Sequence, residues 1–179
     1  MKIIFLDFDG VLVTPRTHIG MAGKRLTMRD FDPVAIGMIN RLCEETESTI
    51  VISSTWRFFD GKQRQIIFGK DCEDPTGNFD LRKHIRSLGL TAPIHDDWQT
   101  FRVKLSASRG MEIRDWLEDH PDVTIYIAID DDTDFADDMR PRLVRCNGDD
   151  GFSYQNYCKA AKLLGVVEGK KSVLTHINN

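Results

Sequence analysis

The sequence predicts an α/β protein whose doubly wound parallel sheet is flanked by helices. Short, continuous apolar runs rich in β-branched residues recur along the chain, as in strands that are buried on both faces. Helical stretches separate these runs, and this alternation implies right-handed crossovers between parallel strands. The length of 179 residues suits one domain with its own core. We expect that domain at residues 1–165, followed by a C-terminal tail at 166–179.

Four apolar runs are predicted as strands, at residues 2–6, 49–52, 124–129 and 143–146. A further strand and a further helix of the core must come from residues 58–108. Within that region, the stretches 72–78 and 93–100 are interpreted as loops.

Three helices are predicted between and after the strands. The first begins at Asp32 and Pro33, because an acid can cap the free N–H groups of a helix start and proline suits the first helical position. The other two are expected at about residues 110–119 and 154–164. The apolar spacing of the first helix predicts a broad buried face, made up of Val34, Ile36, Met38, Ile39 and Leu42.

The composition is that of an ordinary soluble globular protein, with 41% hydrophobic and 29% charged residues. No apolar run approaches the roughly 18 residues that a membrane helix needs. The apolar N-terminal stretch is interrupted by Asp7 and Asp9, and no small-residue cleavage site follows, so a signal peptide is not expected. The four cysteines show no metal-ligand spacing, and we expect reduced thiols in a cytoplasmic protein.

The net charge of -4 does not indicate a nucleic-acid-binding protein. The charge is unevenly distributed, however. Residues 57–109 contain ten basic and seven acidic side chains, whereas residues 112–140 contain eleven acidic and two basic side chains. Such runs usually form solvated surfaces, but part of the acidic run has a second explanation in the positions of its aspartates.

Polar side chains follow three of the predicted strands at the point where each strand ends. Asp7, Asp9 and Gly10 follow the first strand, Ser53 and Ser54 follow the second, and a run of aspartates follows the third. Ligands of doubly wound sheets bind beyond the carboxyl ends of the strands, so these residues are expected at one site. Asp7 and Asp9 alone would equally fit a turn that ends a strand, because Asp-Gly is a turn dipeptide.

The run of aspartates after the third strand consists of Asp130, Asp131, Asp132 and Asp134. Like charges packed about 4 Å apart repel by roughly 4 kcal/mol per pair at an effective dielectric constant of 20, so such a group needs a cation. Oxygen ligands without a nearby histidine or cysteine favour Mg²⁺ over Zn²⁺. Mg²⁺ would also permit a carboxylate to attack a phosphate, because it neutralises the repulsion between the two anions.

The spacing of Asp7 and Asp9 would let both side chains face one bound phosphate. Residues two apart on an extended strand lie on the same side, so a nucleophile and a proton shuttle can face one phosphate. The backbone N–H groups around residues 8–11, which Gly10 makes approachable, are expected to bind phosphate oxygens.

These motifs together resemble the haloacid dehalogenase (HAD) superfamily. A strand ending in Asp-x-Asp-Gly, a second ending in Ser-Ser, a basic residue at a helix start and a third strand ending in Asp-Asp match its order and spacing over about residues 2–150. Residues 51–57, 109–117 and 129–135 further resemble a subgroup found in multi-enzyme "Swiss army knife" RNA-repair proteins. The resemblance implies a HAD-like Rossmannoid fold and a Mg²⁺-dependent phosphatase.

The resemblance also implies a role for each motif residue. Asp7 is similar to the nucleophile that becomes an aspartyl-phosphate, and Asp9 to the acid/base that protonates the leaving group and later activates water. Ser53 is similar to the residue that hydrogen-bonds the transferring phosphoryl group. Asp130 and Asp131 resemble the acids that hold Mg²⁺, with Asp7 and the backbone carbonyl of Asp9 completing the protein ligands.

Two assignments within the resemblance stay open. The cation of the third motif is expected to be Arg109, with Lys104 as the alternative. Asp131 matches the position of the metal ligand in the family's Gly-Asp signature, whereas Asp130 with Asp134 matches the four-residue spacing of that signature.

The segment after the second strand carries further candidates. Ser54 is an alternative to Ser53 for binding the phosphoryl group. Trp56 is expected to pack in the core. Arg57 would either reach the substrate or form a structural salt bridge.

The short inserts at residues 13–31 and 58–108 imply, by the same resemblance, a minimal or small cap. An open site favours large substrates, which exclude water themselves. We therefore expect a phosphatase acting on the phosphate ends of RNA or DNA, or on another large phosphoester. The alternatives are a phosphatase for small nucleotides or sugar phosphates and a non-catalytic binding module on the same fold. A protein partner cannot be predicted from the sequence.

Overall fold

The computed structural model describes residues 1–20, 30–59, 80–100 and 108–166. Within these ranges the chain forms a five-stranded sheet in which every neighbouring pair of strands is parallel. The strands are β1 (Lys2–Leu6), β2 (Ser48–Ile52), β3 (Ile94–Gln99), β4 (Ile125–Asp130) and β5 (Leu143–Arg145). Their order across the sheet is β3-β2-β1-β4-β5. The prediction of an α/β fold with a doubly wound parallel sheet is confirmed.

Helices cover both faces of this sheet. The described helices are α1 (Pro15–Gly20), α2 (Pro33–Thr46), α3 (Leu81–Ser87), α4 (Arg109–Glu118) and α5 (Tyr154–Leu163). The predicted start of α2 is confirmed, because Pro33 is its first residue and a carboxylate oxygen of Asp32 accepts hydrogen bonds from Val34 N and Ala35 N. None of the helices in the described ranges is long and apolar enough to cross a membrane.

The central strand β1 separates two layers of the core. Ile4 and Leu6 belong to the layer that contains side chains of α2, α3 and α5. Ile3 and Phe5 belong to the opposite layer, where Phe5 packs edge-on against Trp116 of α4 at 5.4 Å between ring centroids. These four of the five β1 side chains are fully buried, which explains why the strand is a continuous apolar run rather than an alternating one.

The interpretation of residues 93–100 as a loop is wrong, because Ile94–Gln99 forms β3. Within the described ranges this strand lies at the edge of the sheet and pairs only with β2. Its residues Asp96 and Asp97 are exposed, so it lacks the apolar run by which the buried strands were predicted. Its register with β2 also shifts between Ile50 and Ile52, an irregularity common at sheet edges.

Several regions with predicted roles lie partly or wholly outside the described residues. Of the insert at 13–31, the structure describes residues up to the end of α1 and residues 30–31. The loop expected at 72–78 and all of the tail except Val166 are outside the described ranges. The division into a domain at 1–165 and a tail therefore stays a prediction.

Candidate active site

Asp7 follows β1 and lies between the ends of the two neighbouring strands. Its backbone N–H donates to Ile129 O of β4 at 3.0 Å, and Ser53 N, just after β2, donates to Leu6 O at 3.0 Å. The backbone hydrogen bonds that join β1 to β2 and to β4 thus continue to the end of β1. The Asp7 carboxylate is buried, and its Oδ1 accepts a 2.8 Å hydrogen bond from Phe8 N. These bonds hold the carboxylate in one orientation at the sheet edge.

A tight turn follows Asp7 and requires glycine at position 10. Phe8 O accepts from Leu12 N at 2.8 Å and from Val13 N at 2.9 Å, while Gly10 N donates to Val13 O at 2.8 Å. Gly10 has a φ of 66°, a backbone conformation that costs about 1–2 kcal/mol for a residue with a Cβ. A Cβ there would also lie 2.2 Å from Asp131 Oδ2.

The observed turn changes the role expected for Gly10. The sequence predicts that the N–H groups around residues 8–11 bind phosphate. In the structure Phe8 N donates to Asp7 Oδ1, Gly10 N to Val13 O and Val11 N to Phe8 O, and for Asp9 N the expectation stays a prediction. In this conformation Gly10 makes room for the Asp131 carboxylate instead of offering a donor. The turn therefore brings the acid after β4 against the acid at the end of β1.

Three carboxylates come together at this edge. Asp130 is the last residue of β4, and Asp131 follows it. One oxygen from each of Asp7, Asp130 and Asp131 lies within 4.8 Å of the other two, so these residues form a group able to hold a metal ion. Among the described residues, Asp130 Oδ2 is buried and has no hydrogen-bond partner. A hard, all-oxygen ligand set of this kind fits Mg²⁺.

The electrostatics of this group show how crowded its negative charges are. Burial, followed by the charge of Asp7, raises the pKa of Asp130 to about 7. Burial and the charge of Asp7 also raise the pKa of Asp131 above its usual value. Asp130 and Asp131 thus resist ionisation until a cation compensates their charges.

Asp134 does not join this group in the described part of the chain. Its carboxylate Oδ2 accepts a 3.3 Å hydrogen bond from Arg109 N, and its carbonyl oxygen accepts a 3.2 Å bond from Gly110 N. Ser108 caps the same helix by accepting from Met111 N. Asp134 therefore accepts hydrogen bonds from N–H groups in the first turn of α4, which have no acceptor within the helix. Of the candidate metal ligands after β4, both Asp130 and Asp131 lie at the site.

Arg109 is the first residue of α4, and its guanidinium lies between two of the carboxylates. Its Nη2 is 3.4 Å from Asp7 Oδ2, and its Nε is 3.3 Å from Asp130 Oδ2, the latter without hydrogen-bond geometry. Its Nη1 is buried and has no hydrogen-bond partner within the described ranges. Lys104, the alternative for this position, lies outside the described residues. Arg109 therefore offers an unused donor close to Asp7.

The two serines after β2 differ in what their hydroxyls contact. Ser53 is buried, and its Oγ has no hydrogen-bond partner among the residues that the structure describes. Ser54 Oγ accepts a 3.3 Å hydrogen bond from Trp56 N, at the start of the 3₁₀ turn Thr55–Phe59. Of the two, Ser53 has the hydroxyl that is left for a ligand.

Arg57 forms the structural salt bridge rather than reaching towards a substrate. Its side chain is only 3% exposed and pairs with Glu112 of α4 at 2.5 Å. Its Nη1 also donates to Ser53 O at 2.6 Å and to Ser54 O at 2.7 Å. Arg57 thus fixes the backbone of Ser53 and Ser54 through hydrogen bonds to their carbonyl oxygens.

Trp56 combines core packing with a contact to the site that the sequence did not reveal. Its ring is buried against Phe8 and Phe31, as expected. Its indole N–H donates to both carboxylate oxygens of Asp9, at 3.1 Å and 3.0 Å. Burial raises the pKa of Asp9 above its usual value, and the bond from Trp56 partly offsets this effect.

The fold and the site together define a HAD-type hydrolase, with the acids of the first and last motifs meeting at the carboxyl end of a parallel sheet. The model of the family described as "HAD domain in Swiss Army Knife RNA repair proteins" matches residues 3–157. The chain belongs to this family. No curated protein and no solved structure gives a significant match.

Proposed function

We propose that this protein is a Mg²⁺-dependent phosphatase that works through an aspartyl-phosphate on Asp7. The observation that carries the proposal is the grouping of Asp7, Asp130 and Asp131, with ligand oxygens within 4.8 Å of one another and the Arg109 guanidinium beside them. A cluster of three acids with one arginine suits the binding of a dianionic phosphate only if a further cation is present.

The proposed Mg²⁺ site consists of the three grouped carboxylates and the backbone carbonyl of Asp9. The buried oxygen of Asp130 that lacks a hydrogen-bond partner in the described ranges supports this ligand set. When bound, Mg²⁺ would neutralise the repulsion between the carboxylates and the phosphate and polarise a phosphoryl oxygen.

In the first step, a carboxylate oxygen of Asp7 forms a bond to phosphorus as the bond from phosphorus to the leaving oxygen breaks. Asp9 donates its proton to that leaving oxygen. The Arg109 guanidinium and the Ser53 hydroxyl bind the phosphoryl oxygens, since both keep donors that other described groups do not use.

In the second step, water attacks the phosphorus of the aspartyl-phosphate. Asp9, now a carboxylate, accepts the proton that the water loses. Breaking the bond between phosphorus and Asp7 releases inorganic phosphate and restores both carboxyl groups to their starting states. Asp9 thus serves as acid and then as base at the same position.

For the substrate, we propose phosphate ends of RNA or DNA or a comparably large phosphoester. The description of the family, which names RNA repair proteins, and the basic composition of residues 57–109 support this choice. One observation favours the alternative of a small nucleotide or sugar phosphate. Asp132, Asp149 and Asp150 are exposed on loops that follow β4 and β5 at the site, and these acids would repel a long polyanion.

A substrate screen of the purified protein with Mg²⁺ tests the proposal. Oligonucleotides with 3′- or 5′-phosphates should be hydrolysed with a strong salt dependence, because phosphate-backbone binding releases counterions. Salt-insensitive hydrolysis of small esters alone would favour the small-metabolite alternative. If no phosphoester reacts, chromogenic aryl phosphates included, the phosphatase proposal is wrong and the non-catalytic binding module takes its place.

A further inference from the structure

The indole of Trp56 makes the one described hydrogen-bond contact to the side chain of Asp9. Its Nε1 lies 3.1 Å from Oδ1 and 3.0 Å from Oδ2. Because one N–H is shared almost equally by both oxygens, the donor lies close to the midline of the carboxylate and defines the direction in which the group points. Among the described residues no other donor reaches this exposed side chain.

The donor itself is held rigidly. Trp56 is 6% exposed and packs edge-on against Phe8, with ring centroids 5.6 Å apart, and obliquely against Phe31 at 5.5 Å. On its backbone, the N–H of Trp56 donates to Ser54 Oγ at 3.3 Å. Phe8 is the residue between Asp7 and Asp9, so the indole packs against the same turn whose carboxylate it binds.

The chemistry of the indole restricts where a proton on Asp9 can lie. An indole N–H is a donor only and cannot accept a proton. When Asp9 is protonated, its O–H must therefore point away from Trp56.

We propose that Trp56 is a positioning residue that orients Asp9 for both proton transfers of the proposed reaction. This inference depends on the proposed function. In the first transfer, the Asp9 O–H proton moves to the leaving oxygen as the phosphorus–oxygen bond breaks. In the second, the Asp9 carboxylate takes a proton from the attacking water. Trp56 keeps its own proton throughout, and it fixes the direction in which the carboxyl group points while the charge on Asp9 changes.

The kinetic test compares Trp56→Phe with wild type on aryl phosphates of different leaving-group pKa. Protonation by a general acid contributes about 10²- to 10⁴-fold, and it matters most for poor leaving groups. We expect kcat/KM to fall by roughly 10- to 100-fold for phenyl phosphate but by only a few-fold for p-nitrophenyl phosphate. An equal loss for all substrates would overturn the positioning role, since that pattern indicates general damage to the fold.

Trp116→Phe is the matched control. It also removes a buried indole N–H that donates a hydrogen bond, but the acceptor is Asp97 O, on edge strand β3. This control should keep the wild-type dependence on leaving group. If it steepens the dependence as much as Trp56→Phe, the proposal is refuted.

A second measurement does not require Trp56→Phe to fold or the enzyme to turn over. In a ¹⁵N–¹H NMR spectrum, the indole resonance of Trp56 should shift in Asp9→Ala, whereas that of Trp116 should not. An unshifted Trp56 resonance would refute the contact. Lack of turnover by the wild type would refute the proposed function. An active wild type whose dependence on leaving group is unchanged in Trp56→Phe would refute the role of Trp56 alone.

Discussion

Arg57 and Glu112 form an ion pair in which each side chain is only 3% exposed, and this pair joins the turn after β2 to helix α4. The turn carries Ser53, whose carbonyl oxygen also accepts from Arg57, and the helix begins with Arg109. Thr100 Oγ1, just after β3, donates to the same Glu112 oxygen at 3.4 Å. This buried ion pair thus connects three segments that surround the site, namely the turn after β2, the end of β3 and helix α4.

Replacing one partner of this pair should destabilise the protein strongly. Glu112→Gln would remove the buried carboxylate that pairs with the Arg57 charge, and breaking a buried ion pair in this way typically costs about 3–5 kcal/mol. We expect a clear drop in the urea midpoint of unfolding. Arg114→Ala, on the same helix, is the control, because its pair with Asp138 is exposed and worth at most about 1 kcal/mol. Similar losses in both variants would contradict this reading of the buried pair.

Asp7→Asn should abolish turnover and leave the fold intact. The amide has nearly the same shape as the carboxylate but is not a nucleophile, so no phosphoryl group can be transferred to it. Steady-state hydrolysis of an aryl phosphate, with circular dichroism as the check on folding, measures both effects. Asp132→Asn, at an exposed neighbouring acid outside the three-carboxylate group, should keep most of the activity. A wild-type rate in Asp7→Asn would rule out this residue as nucleophile.

Arg109→Ala should reduce kcat/KM by roughly 10- to 100-fold, because a hydrogen bond to a charged group is worth about 1.5–3 kcal/mol. Arg109→Lys should recover part of the loss, since an ammonium keeps the charge but lacks the planar fork that spans Asp7 and Asp130. Lys104→Ala separates the two candidates for this cation. If that variant loses the activity and Arg109→Ala does not, Lys104 is the third-motif residue.

Gly10→Ala should weaken Mg²⁺ binding and lower stability. The added Cβ would meet the Asp131 carboxylate at 2.2 Å, and the backbone φ of 66° is itself unfavourable by about 1–2 kcal/mol. Calorimetric Mg²⁺ titration and thermal unfolding measure the two effects. Gly37→Ala is the control, because a Cβ at this helical glycine has nothing within 4 Å and should stabilise α2 by about 0.5–1 kcal/mol. Unchanged Mg²⁺ affinity in Gly10→Ala would show that the turn does not position Asp131.

The stability of the metal-free protein should fall as the pH rises. The pKa of Asp130 is raised by burial and by the Asp7 charge to about 7, against roughly 3.9 for a free aspartate. The folded state therefore binds this proton more tightly than the unfolded state. The resulting stability is full below about pH 4 and is lost as the pH rises through about 7.

Thermal unfolding in EDTA between pH 5 and pH 8 measures this dependence. Mg²⁺ should raise the unfolding temperature more at pH 8 than at pH 5, because the ion replaces the proton as the counter-charge. Asp130→Asn should flatten the pH dependence. If the unfolding temperature depends on pH as steeply in Asp130→Asn as in wild type, the effect comes from other groups.

The parts of this fold that the sequence predicts are those marked by a local pattern of apolar and polar residues. Strands β1, β2, β4 and β5 are apolar because both sheet faces are covered, and their polar ends mark the site. Edge strand β3 carries exposed acids and lacks that signal. Its existence follows from the need for another strand in residues 58–108, but its position does not.

The side-chain contacts of the site are less predictable, because they join residues distant in sequence. Trp56 and Asp9 are 47 positions apart, and Arg57 and Glu112 are 55 apart. Composition and spacing give no sign of either pair. Asp134 illustrates the same limit at short range, since a spacing that suits a metal ligand equally suits a residue bonded to the start of α4.

The central position of β1 also has a consequence for how the protein folds. Ile4 pairs with Ile50 on one side and with Ile127 on the other, so one of its two ladders closes a loop of more than a hundred residues. Such non-local pairing slows folding, because the entropy of loop closure is lost before the contacts form. A refolding chain can therefore assemble helices α2 and α5 locally while Asp7 still lacks Asp130. Catalytic competence should be among the last properties that the refolding chain regains.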